Sequence, residues 1–266
     1  MIITITGSTG YLGRSLLEHA LCNGFNVYTV NRLSSKSSMS YQEYFEAKHC
    51  SDVIIHCGAL VHNKTSSYAD FYQSNVVLTK QLAIHAKNQK CKKFIFISSI
   101  GVFGNTKSSV HKNSNCKPYD FYTRSKYEAE LELFKIFSNS FTELVIIRPP
   151  IIVGKYAPGN VRIIESLLKV LPVTPFLLVK NKKSIVSINN LCEFLLDFDN
   201  LSKGIHIPVD PLPLSTAEIF DLIASFHFKK FYHLPIPVFL LKIFFRVFRL
   251  KGLERNLIFD LVVKQD

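Results

Sequence analysis

The sequence MIITITGSTGYLG, residues 1–13, decides the fold of this chain. It contains an apolar run, then glycines at Gly7, Gly10 and Gly13, and then the first apolar residues of an amphipathic helix. A strand that leads through a glycine-bearing turn into a helix is the context in which GxxGxxG binds a dinucleotide. The alternative is a glycine-bearing turn that holds no ligand. We therefore predict a cofactor site at this turn.

The three glycines have different physical tasks. Gly7 permits a tight turn after the strand, Gly10 lets the backbone approach a pyrophosphate, and Gly13 lets the helix pack closely on the strand. The start of the helix directs unpaired N–H groups and the positive end of its dipole towards the phosphates. The predicted cofactor contacts in this turn are Gly7, Thr9, Gly10, Tyr11, Leu12 and Gly13.

The composition predicts a folded protein with a large core. The chain has 266 residues, of which 47% are hydrophobic, enough for one large domain or for one domain and a smaller lobe.

The cysteines and the first residues bear on the compartment of the protein. The six cysteines include no CxxC pair, which argues against a zinc site and a disulfide framework and favours a reducing compartment. The first apolar run is short and lacks a basic flank, so we interpret it as a strand and not as a signal peptide. We predict a cytoplasmic protein that binds no metal.

The net charge of +12 has three interpretations: anionic substrates such as nucleotides, an anionic membrane surface, or nucleic acid. No nucleic-acid-binding motif accompanies the charge, so we expect no nucleic-acid partner. Peripheral contact with a membrane and pairing with a second copy of the chain, as a homodimer, stay open.

Strands and helices alternate along the first part of the chain. This order predicts a Rossmann-type α/β fold, a doubly wound parallel sheet with right-handed crossovers. We predict a dinucleotide-binding domain over residues 1–154 and a smaller α/β substrate-binding lobe over residues 155–266, where the alternation breaks down. The predicted strands are 1–5, 25–30, 51–60, 92–104 (ending in two serines and a glycine-bearing loop), 143–154 (closed by Pro149 and Pro150), 176–179, 184–188 and 204–209. The predicted helices are 11–23, 40–48, 68–89, 120–137, 160–171, 189–199 and 215–226. Residues 34–50 contain no convincing strand, so an edge strand is expected to be short or absent.

The residues after the second strand bear on the choice of cofactor. An enzyme that uses NAD usually has an acidic residue here for the ribose 2′-hydroxyl, whereas this chain has Asn31 and Arg32, with Lys36 nearby. A guanidinium suits a 2′-phosphate, which a carboxylate would repel. The sequence therefore favours NADP(H), and NAD(H) stays open because an exposed arginine is also common.

Tyr122 and Lys126 are the strongest candidates for catalysis. Residues four apart on a helix share a face, and a helix pattern begins here after the N-capping Asp120. The ordinary pKa of tyrosine, about 10, is too high for a base at neutral pH, and a lysine ammonium one turn away is expected to lower it. Ser98 and Ser99 end the preceding strand and are candidates to hold a substrate oxygen.

Five segments together resemble the extended short-chain dehydrogenase/reductase family, the NAD(P)-dependent epimerase/dehydratase group. They are TGSTGYLG at 6–13, SNVVLT at 74–79, FIFISSIGVFG at 94–104, YTRSKYEAE at 122–130 and IIRPPIIVG at 146–154. SIVSINNL at 184–191 and the C-terminal LPIPVFLLKIFF resemble the branch that acts on UDP-N-acetylhexosamines in bacterial surface-polysaccharide synthesis. That branch includes UDP-sugar 4-epimerases and 4-keto-6-deoxy-sugar reductases.

The resemblance implies a role for each matched residue. Ser99 is the catalytic hydroxyl, Tyr122 transfers the proton, Lys126 binds the nicotinamide ribose and tunes Tyr122, and Asn75 supports the site. The further predicted cofactor contacts are Asn31, Arg32, Ala59, Asn75, Ser98, Tyr122, Lys126 and Pro149. The predicted substrate contacts are Ser99, Tyr122, the loop residue His62, and Asn160, Arg162 and Lys183, which stand where the family contacts the nucleotide-sugar diphosphate.

The chain departs from the family pattern in four places. Phe103 replaces a tyrosine, which is expected to remove a hydroxyl from the pocket, and Val77-Leu78 replaces a small pair. Lys183 stands where arginine is common, so the two-pronged hydrogen bonding of a guanidinium to the substrate diphosphate is replaced by the single charge of an ammonium. Residues 34–50 are shorter than the segment that usually helps to build the adenine pocket.

The C-terminal residues 226–255 contain a basic amphipathic helix with two interpretations. It is too short and too charged to span a membrane. It could lie on an anionic membrane surface, but we favour a helix that packs on the lobe while its basic side chains reach solvent. The apolar residues at helical spacing are Val238, Leu241, Phe244, Phe245 and Phe248, and the basic residues between them are Lys242, Arg246 and Arg249.

The residues and the resemblance together predict an NAD(P)-dependent enzyme acting at C4 of a UDP-activated N-acetylhexosamine. It is either a 4-epimerase or a 4-ketoreductase, since the same side chains serve both reactions. The rival hypothesis is a non-catalytic dinucleotide-binding sensor or a membrane-associated assembly protein. Its motivation is the short segment after Arg32, Phe103 and the basic apolar tail.

Overall fold

The structure is a computed structural model that describes residues 1–35, 37–47, 50–61, 65–104 and 109–264, without the side chains of Lys251 and Arg255. The chain divides into two compact units. The first unit comprises Met1–Asn105, Asn115–Pro149 and Ile188–Pro208, and the second comprises Thr106–Ser114, Pro150–Ser187 and Val209–Asp266.

The strands of the described residues are short and mostly apolar. In chain order they are β1 (Ile2–Thr6), β2 (Asn26–Asn31), β3 (Met39–Ser40), β4 (Val53–His56), β5 (Lys93–Ile97), β6 (Glu143–Ile147), β7 (Ile151–Val153), β8 (Val173–Thr174), β9 (Ile185–Ser187), β10 (Gly204–His206) and β11 (Tyr232–His233).

The helices of the described residues connect these strands. They are α1 (Tyr11–Cys22), α2 (Tyr41–Glu46), α3 (Tyr68–Tyr72), α4 (Leu78–Asn88), α5 (Phe121–Phe137), α6 (Asn160–Val170), α7 (Ile188–Leu196), α8 (Thr216–Ser225), α9 (Val238–Val247) and α10 (Lys251–Ile258). A π-helical turn, Gln73–Val77, joins α3 to α4, and a 3-10 turn, Ile100–Phe103, follows β5.

The first unit contains a seven-stranded sheet in the order β10-β6-β5-β4-β1-β2-β3, with every neighbouring pair parallel. Helices cover it, so its central strands are buried along their length, as a parallel sheet requires. The Rossmann-type α/β prediction is therefore confirmed. Because all strands run the same way, the carboxyl ends of β1, β2, β4, β5 and β6 meet at one edge of the sheet.

The edge strand β3 is shortened and not absent. It pairs with β2 through two residues, Met39 opposite Val30 and Ser40 opposite Asn31. The strand stops because Ser40 immediately caps α2: its hydroxyl accepts from the Glu43 backbone N–H, and the Glu43 carboxylate accepts from the Ser40 N–H.

Three predicted elements differ from the structure. The helix expected over 68–89 is interrupted by the π-helical turn. The strand expected over 143–154 is divided into β6 and β7 because Pro149 and Pro150 supply no backbone N–H. Residues 176–179 form a turn and not a strand, closed by a hydrogen bond from the Val179 N–H to the Phe176 carbonyl.

The second unit contains two parallel strand pairs, β7 with β9 and β8 with β11. The predicted strand at 184–188 is thus confirmed as β9. The C-terminal helical stretch is two helices, because the chain turns after α9 at Arg249, whose φ is 55°. Within the described residues, no helix is long and apolar enough to cross a membrane.

Candidate active site

The glycine turn after β1 is held in a conformation that other residues resist. Gly7 has a φ of 70°, and a Cβ on it would lie 2.6 Å from the Cα of Gly58. A Cβ on Gly13 would lie 2.2 Å from the Gly7 carbonyl oxygen, so α1 packs against the turn as closely as the sequence predicts. Helix α1 has no side-chain cap and no acidic residue in its first turn. The glycine turn and the start of α1 can therefore accept a pyrophosphate.

The side chain of Asn31 lies at the carboxyl end of β2, next to this turn. It is buried, and its Nδ2 donates to the Ser8 hydroxyl at 2.9 Å. Its Oδ1 is buried without a hydrogen-bond partner. A buried acceptor without a donor is costly, and a ribose hydroxyl would satisfy it. The neighbouring Arg32 is exposed.

Asn75 joins the loop after β4 to helix α5. Its Oδ1 accepts from the Leu60 backbone N–H at 2.7 Å, and its Nδ2 donates to the Leu60 carbonyl at 3.1 Å. The same Nδ2 donates to the Ser125 hydroxyl at 2.9 Å, and that hydroxyl donates to the Tyr122 carbonyl. Asn75 lies in the π-helical turn, a feature that often marks functional positions.

His56 ends β4 and is fully buried between two threonines. Its Nδ1 lies 2.6 Å from the Thr6 hydroxyl and its Nε2 lies 2.9 Å from the Thr79 hydroxyl. The Thr79 hydroxyl hydrogen is donated to the Asn75 carbonyl, so Nε2 must be the protonated ring nitrogen and Nδ1 the acceptor. Burial, with a smaller contribution from Lys126, lowers the pKa of His56 to about 3. The ring is a neutral structural group and not a base.

Two serines end β5, as the sequence predicts, and they differ in surroundings. Ser98 is buried, and its Oγ has no hydrogen-bond partner. Ser99 is half-buried, and its Oγ accepts from the Gly101 N–H at 3.0 Å. That acceptor role leaves the Ser99 hydroxyl hydrogen available, which is what holding a substrate oxygen requires.

Tyr122 and Lys126 lie one turn apart on α5, which begins at the predicted cap Asp120. Tyr122 is half-buried, whereas Lys126 is 2% exposed, with its Nζ 4.2 Å from the centroid of the Phe96 ring. No salt bridge of the described residues includes Lys126.

The pKa values of this pair differ from the prediction. Burial, with a smaller contribution from Asp120, raises the pKa of Tyr122 to about 12. Burial lowers the pKa of Lys126 to about 7, against smaller opposing effects of Cys57 and Glu130. The expected lowering of the tyrosine pKa by the lysine is not found in the protein by itself, because burial of the phenol dominates its pKa.

Phe103 and Pro149 lie beside a buried ion pair. The Arg148 guanidinium is bonded to Glu130 through Nε to Oε1 at 3.0 Å and Nη2 to Oε2 at 2.6 Å, and its Cζ lies 4.9 Å from the Phe103 ring centroid. Phe103 is only 2% exposed, so it covers this guanidinium. Pro149 is buried, and its carbonyl accepts from Ile100.

The remaining predicted site residues lie in other places. Ala59 follows β4 and is half-buried. Asn160 and Arg162 are exposed in the first turn of α6, in the second unit. Lys183, also in that unit, is buried and donates to the Phe259 carbonyl at 2.7 Å. His62 lies outside the described residues.

Several supporting residues were not predicted from the sequence. They are Thr6, Ser8, Thr79 and Ser125, all buried hydroxyl residues that bond the side chains of His56, Asn31 and Asn75. Ser8 and Ser125 occupy variable positions of the glycine and YxxxK patterns, where spacing alone assigns no role. All four residues stand within the matched segments TGSTGYLG, SNVVLT and YTRSKYEAE, which was the available signal.

A nicotinamide dinucleotide fits the residues at this edge of the first unit. The glycine turn admits no Cβ at Gly7 or Gly13, and the unpartnered Asn31 Oδ1 and Ser98 Oγ both require hydrogen-bond partners. No group of three or more metal-binding side chains occurs in the part of the chain that is described.

Comparison with known proteins identifies the class to which this fold and site belong. The profile of the NAD dependent epimerase/dehydratase family matches residues 3–184. A UDP-glucose 4-epimerase of Vibrio cholerae is 30% identical over 268 residues, which cover 92% of this chain and 82% of that protein. The chain belongs to the NAD dependent epimerase/dehydratase family, an extended short-chain dehydrogenase/reductase family of enzymes.

Another relative acts on a sugar that is carried by undecaprenyl diphosphate instead of by UDP. It is the N-acetyl-alpha-D-glucosaminyl-diphospho-ditrans,octacis-undecaprenol 4-epimerase of Escherichia coli O157:H7, which is 27% identical over 255 residues, covering 89% of this chain and 76% of that protein.

Solved structures agree on the fold. The UDP-glucose 4-epimerase of Thermotoga maritima, solved with UDP-glucose, superposes with a TM-score of 0.71 at 20% identity and covers 89% of this chain and 86% of its own. The dTDP-4-dehydrorhamnose reductase of Bacillus anthracis, solved with NADP, gives a TM-score of 0.71 at 21% identity, with 88% and 83% covered.

Proposed function

We propose that this protein is an NAD(P)-dependent 4-epimerase or 4-ketoreductase of a UDP-linked N-acetylhexosamine, with Ser99, Tyr122 and Lys126 as its catalytic residues. The observation that carries the proposal is the burial of the Lys126 ammonium one turn from Tyr122. Burying a lysine costs stability, and strongly shifted titratable groups at the carboxyl edge of such a sheet are typical of active sites. Membership of an epimerase/dehydratase family and two 4-epimerase relatives support the same chemistry.

The chain's own residues perform the proton transfer. In the oxidative direction Tyr122, as phenolate, takes the proton of the C4 hydroxyl while the C4–H electron pair leaves as hydride, so that a C4 ketone forms. Ser99 donates a hydrogen bond to that oxygen throughout. The bound nicotinamide supplies the hydride acceptor and, in its oxidised form, a positive charge that favours the phenolate.

The reductive direction uses the same groups in reverse. Tyr122 gives its proton to the 4-keto oxygen as hydride is added at C4, and Lys126 would hold the nicotinamide ribose and tune the pKa of Tyr122. An epimerase performs both steps and turns the ketone between them, whereas a reductase performs only the second and consumes NAD(P)H.

Arg32 supports a preference for NADP(H). Its exposed guanidinium follows Asn31 directly, where a carboxylate would serve the 2′-hydroxyl of NAD(H). The unpartnered Asn31 Oδ1 suits a ribose hydroxyl of either dinucleotide. Calorimetry with NADPH and NADH tests the preference: Arg32→Gln is expected to weaken NADPH binding about tenfold and leave NADH unchanged, with Lys135→Gln, an exposed cation on α5, as the control.

Asn160, Arg162 and Lys183 are the proposed contacts to the substrate diphosphate. Arg162→Gln is expected to raise KM with little change in kcat, because a diphosphate contact is made equally in the ground state and the transition state. Lys183 also bonds the Phe259 carbonyl, so its replacement must be checked for stability as well.

The sugar of the substrate has a second candidate carrier besides UDP. The Escherichia coli relative acts on a sugar carried by undecaprenyl diphosphate, and the same C4 chemistry serves either carrier. Separate assays with UDP-GlcNAc and with undecaprenyl-diphospho-GlcNAc distinguish them. The proposed compartment is the cytoplasm, consistent with six cysteines that form no disulfide, and a homodimer is the proposed assembly.

A turnover assay tests the proposed reaction. Interconversion of two UDP-sugars with no net change in cofactor identifies an epimerase, and consumption of NADPH with a 4-keto sugar nucleotide identifies a reductase. Tyr122→Phe is expected to lower kcat by about 10²- to 10⁴-fold, while Tyr119→Phe, an exposed tyrosine of the same unit, leaves it unchanged. Undiminished turnover by Tyr122→Phe would refute the catalytic assignment, and a chain that binds neither dinucleotide would refute the whole proposal.

A further inference from the structure

Helix α9 is apolar on its outer face as well as on its inner face. Leu241 and Phe245 are buried, 6% exposed each, and attach the helix to the second unit. The outer side chains are large, apolar and between 45% and 68% exposed: Phe239, Leu240, Ile243, Phe244 and Val247. Phe248 continues this face at 60% exposure. A contiguous exposed apolar face of this kind is typical of a surface that binds another molecule or a membrane.

Basic side chains border this outer face. Lys242 and Arg246 are one turn apart on α9, and α9 contains no acidic residue. Lys242 is half-buried, with its Nζ 5.7 Å from the Phe259 ring centroid, whereas Arg246 and Arg249 are exposed. The amphipathic pattern is thus a row of apolar side chains beside a row of cations.

The positive charge of the chain is concentrated around this helix. Residues 226–258 contain seven lysines and arginines against the single acidic residue Glu254, so this one-eighth of the sequence carries about half of the net charge of +12. Lys229 and Lys230 are exposed beside Phe228, which is 99% exposed. Basic side chains beside an exposed apolar row, such as Lys242 and Arg246 on α9, are complementary to an anionic lipid surface.

We propose that the outer face of α9, with Phe248, binds the surface of an anionic lipid bilayer. The apolar side chains enter the boundary between headgroups and acyl chains, and the lysines and arginines contact the anionic headgroups. The helix lies in the plane of the membrane and does not cross it. The binding is independent of the C4 chemistry, so it can be tested on a protein whose catalysis is unknown or abolished.

A second copy of the chain is the competing occupant, and the charges disfavour it. A two-fold contact through this face would bring the Lys242 and Arg246 rows of two copies together, and α9 offers no acidic partner for them. A lipid surface supplies the missing anions.

The absence of tryptophan from the chain permits a direct experiment. Phe244→Trp places a single fluorophore on the outer face, and Phe141→Trp places one at a 74% exposed position of the first unit as the matched control. With vesicles of phosphatidylcholine and 30% phosphatidylglycerol, we expect a blue shift of emission for Phe244→Trp and none for Phe141→Trp. Pure phosphatidylcholine vesicles and high salt are expected to reduce the shift.

Vesicle co-sedimentation tests the contributions of the cations and of the apolar side chains separately. The double substitution Lys242→Gln/Arg246→Gln is expected to weaken binding about 25-fold, about fivefold for each neutralised cation, whereas Lys169→Gln on α6 changes nothing. Phe239→Ser/Phe244→Ser is expected to weaken binding at least tenfold, against Phe141→Ser as control. Circular dichroism confirms that each variant is folded.

Three results would overturn the proposal. The first is equal binding to anionic and neutral vesicles, and the second is unchanged binding by the folded outer-face variants. The third is a dimer in sedimentation equilibrium that Phe239→Ser/Phe244→Ser dissociates while the wild type binds no vesicles, which would assign the face to a second copy. None of these results depends on turnover, so failure here is distinguishable from failure of the enzymatic proposal.

Discussion

Glu130 and Arg148 form a buried bidentate ion pair that fastens α5 to the end of β6. Their contacts are 3.0 Å and 2.6 Å, and their side chains are 0% and 4% exposed. Glu130 stands one turn after Lys126 on the same helix, and Arg148 immediately precedes Pro149. The pair therefore fixes the helix that carries the proposed catalytic residues relative to the edge of the sheet.

Removing one partner of this ion pair should lower the free energy of unfolding far more than removing both partners does. Glu130→Gln leaves a buried guanidinium without its counter-charge and is expected to lower the free energy of unfolding by about 3–5 kcal/mol. Glu130→Leu/Arg148→Met removes both charges and should recover most of that loss. Urea denaturation of Glu130→Leu, of Arg148→Met and of the double variant measures the coupling energy. Equal destabilisation by Glu130→Gln and by the double variant would show that the pair contributes packing only.

Asn75 is expected to act as a positioning residue. Asn75→Ala removes the bonds to Leu60 and to Ser125, so the loop after β4 and the first turn of α5 lose their common support. We expect kcat to fall by about 10- to 100-fold with a smaller change in KM, and the free energy of unfolding to fall by about 1–3 kcal/mol. Ser125→Ala, which retains both Leu60 bonds, should have an intermediate kcat. If the two variants differ from wild type only in stability, Asn75 has no positioning role.

The fold was predictable because its signals are local and periodic. Short apolar runs separated by helical patterns determine the parallel sheet, and the apolar side chains of the helices bury against it: Val76, Leu82 and Ala86 are each no more than 1% exposed. Element boundaries were less predictable. Pro149 and Pro150 end a strand because they lack a backbone N–H, and Ser40 ends another through its capping bonds with Glu43; hydrophobic periodicity reports neither effect.

The site was predictable only where a pattern assigns a chemical task. The glycine turn and the Tyr122–Lys126 spacing fall into this class, and the structure brings Ser99, Tyr122 and Lys126 into the same unit. The electrostatics were not predictable, because the pKa of Lys126 depends on burial against Phe96, which lies about thirty residues away in sequence. Phe103 was expected only to remove a hydroxyl, yet it covers the Arg148 guanidinium.

The buried His56 should make the protein sensitive to acid. Its pKa is about 3 in the fold against an ordinary 6.5, so between these values the unfolded chain binds one more proton and stability falls as the pH falls. His56→Gln does not titrate in this range. We expect the difference in unfolding free energy between wild type and His56→Gln to shrink by up to about 1.4 kcal/mol per pH unit below pH 6.5. A difference that is constant from pH 7 to pH 5 would show that His56 titrates normally.

Lys126→Met should abolish activity and stabilise the protein. The pKa of Lys126 is about 7 in the fold against an ordinary 10.5, so from pH 7 upward the unfolded chain holds a proton that the native chain releases. The cost of burying the ammonium is therefore largest at and below pH 7 and decreases as the pH rises.

We expect Lys126→Met to exceed wild type by about 1 kcal/mol or more in unfolding free energy at pH 7. That advantage should decline by up to about 1.4 kcal/mol per unit towards pH 10. Above pH 10 the raised pKa of Tyr122 lowers the stability of both proteins alike, because the unfolded tyrosine ionises first. Lys135→Met, an exposed position on the same helix, is the control and should show no such pH dependence. A Lys126→Met variant that is less stable than wild type at pH 7 would mean that the ammonium supports the fold, and the site would lose its strongest physical sign of function.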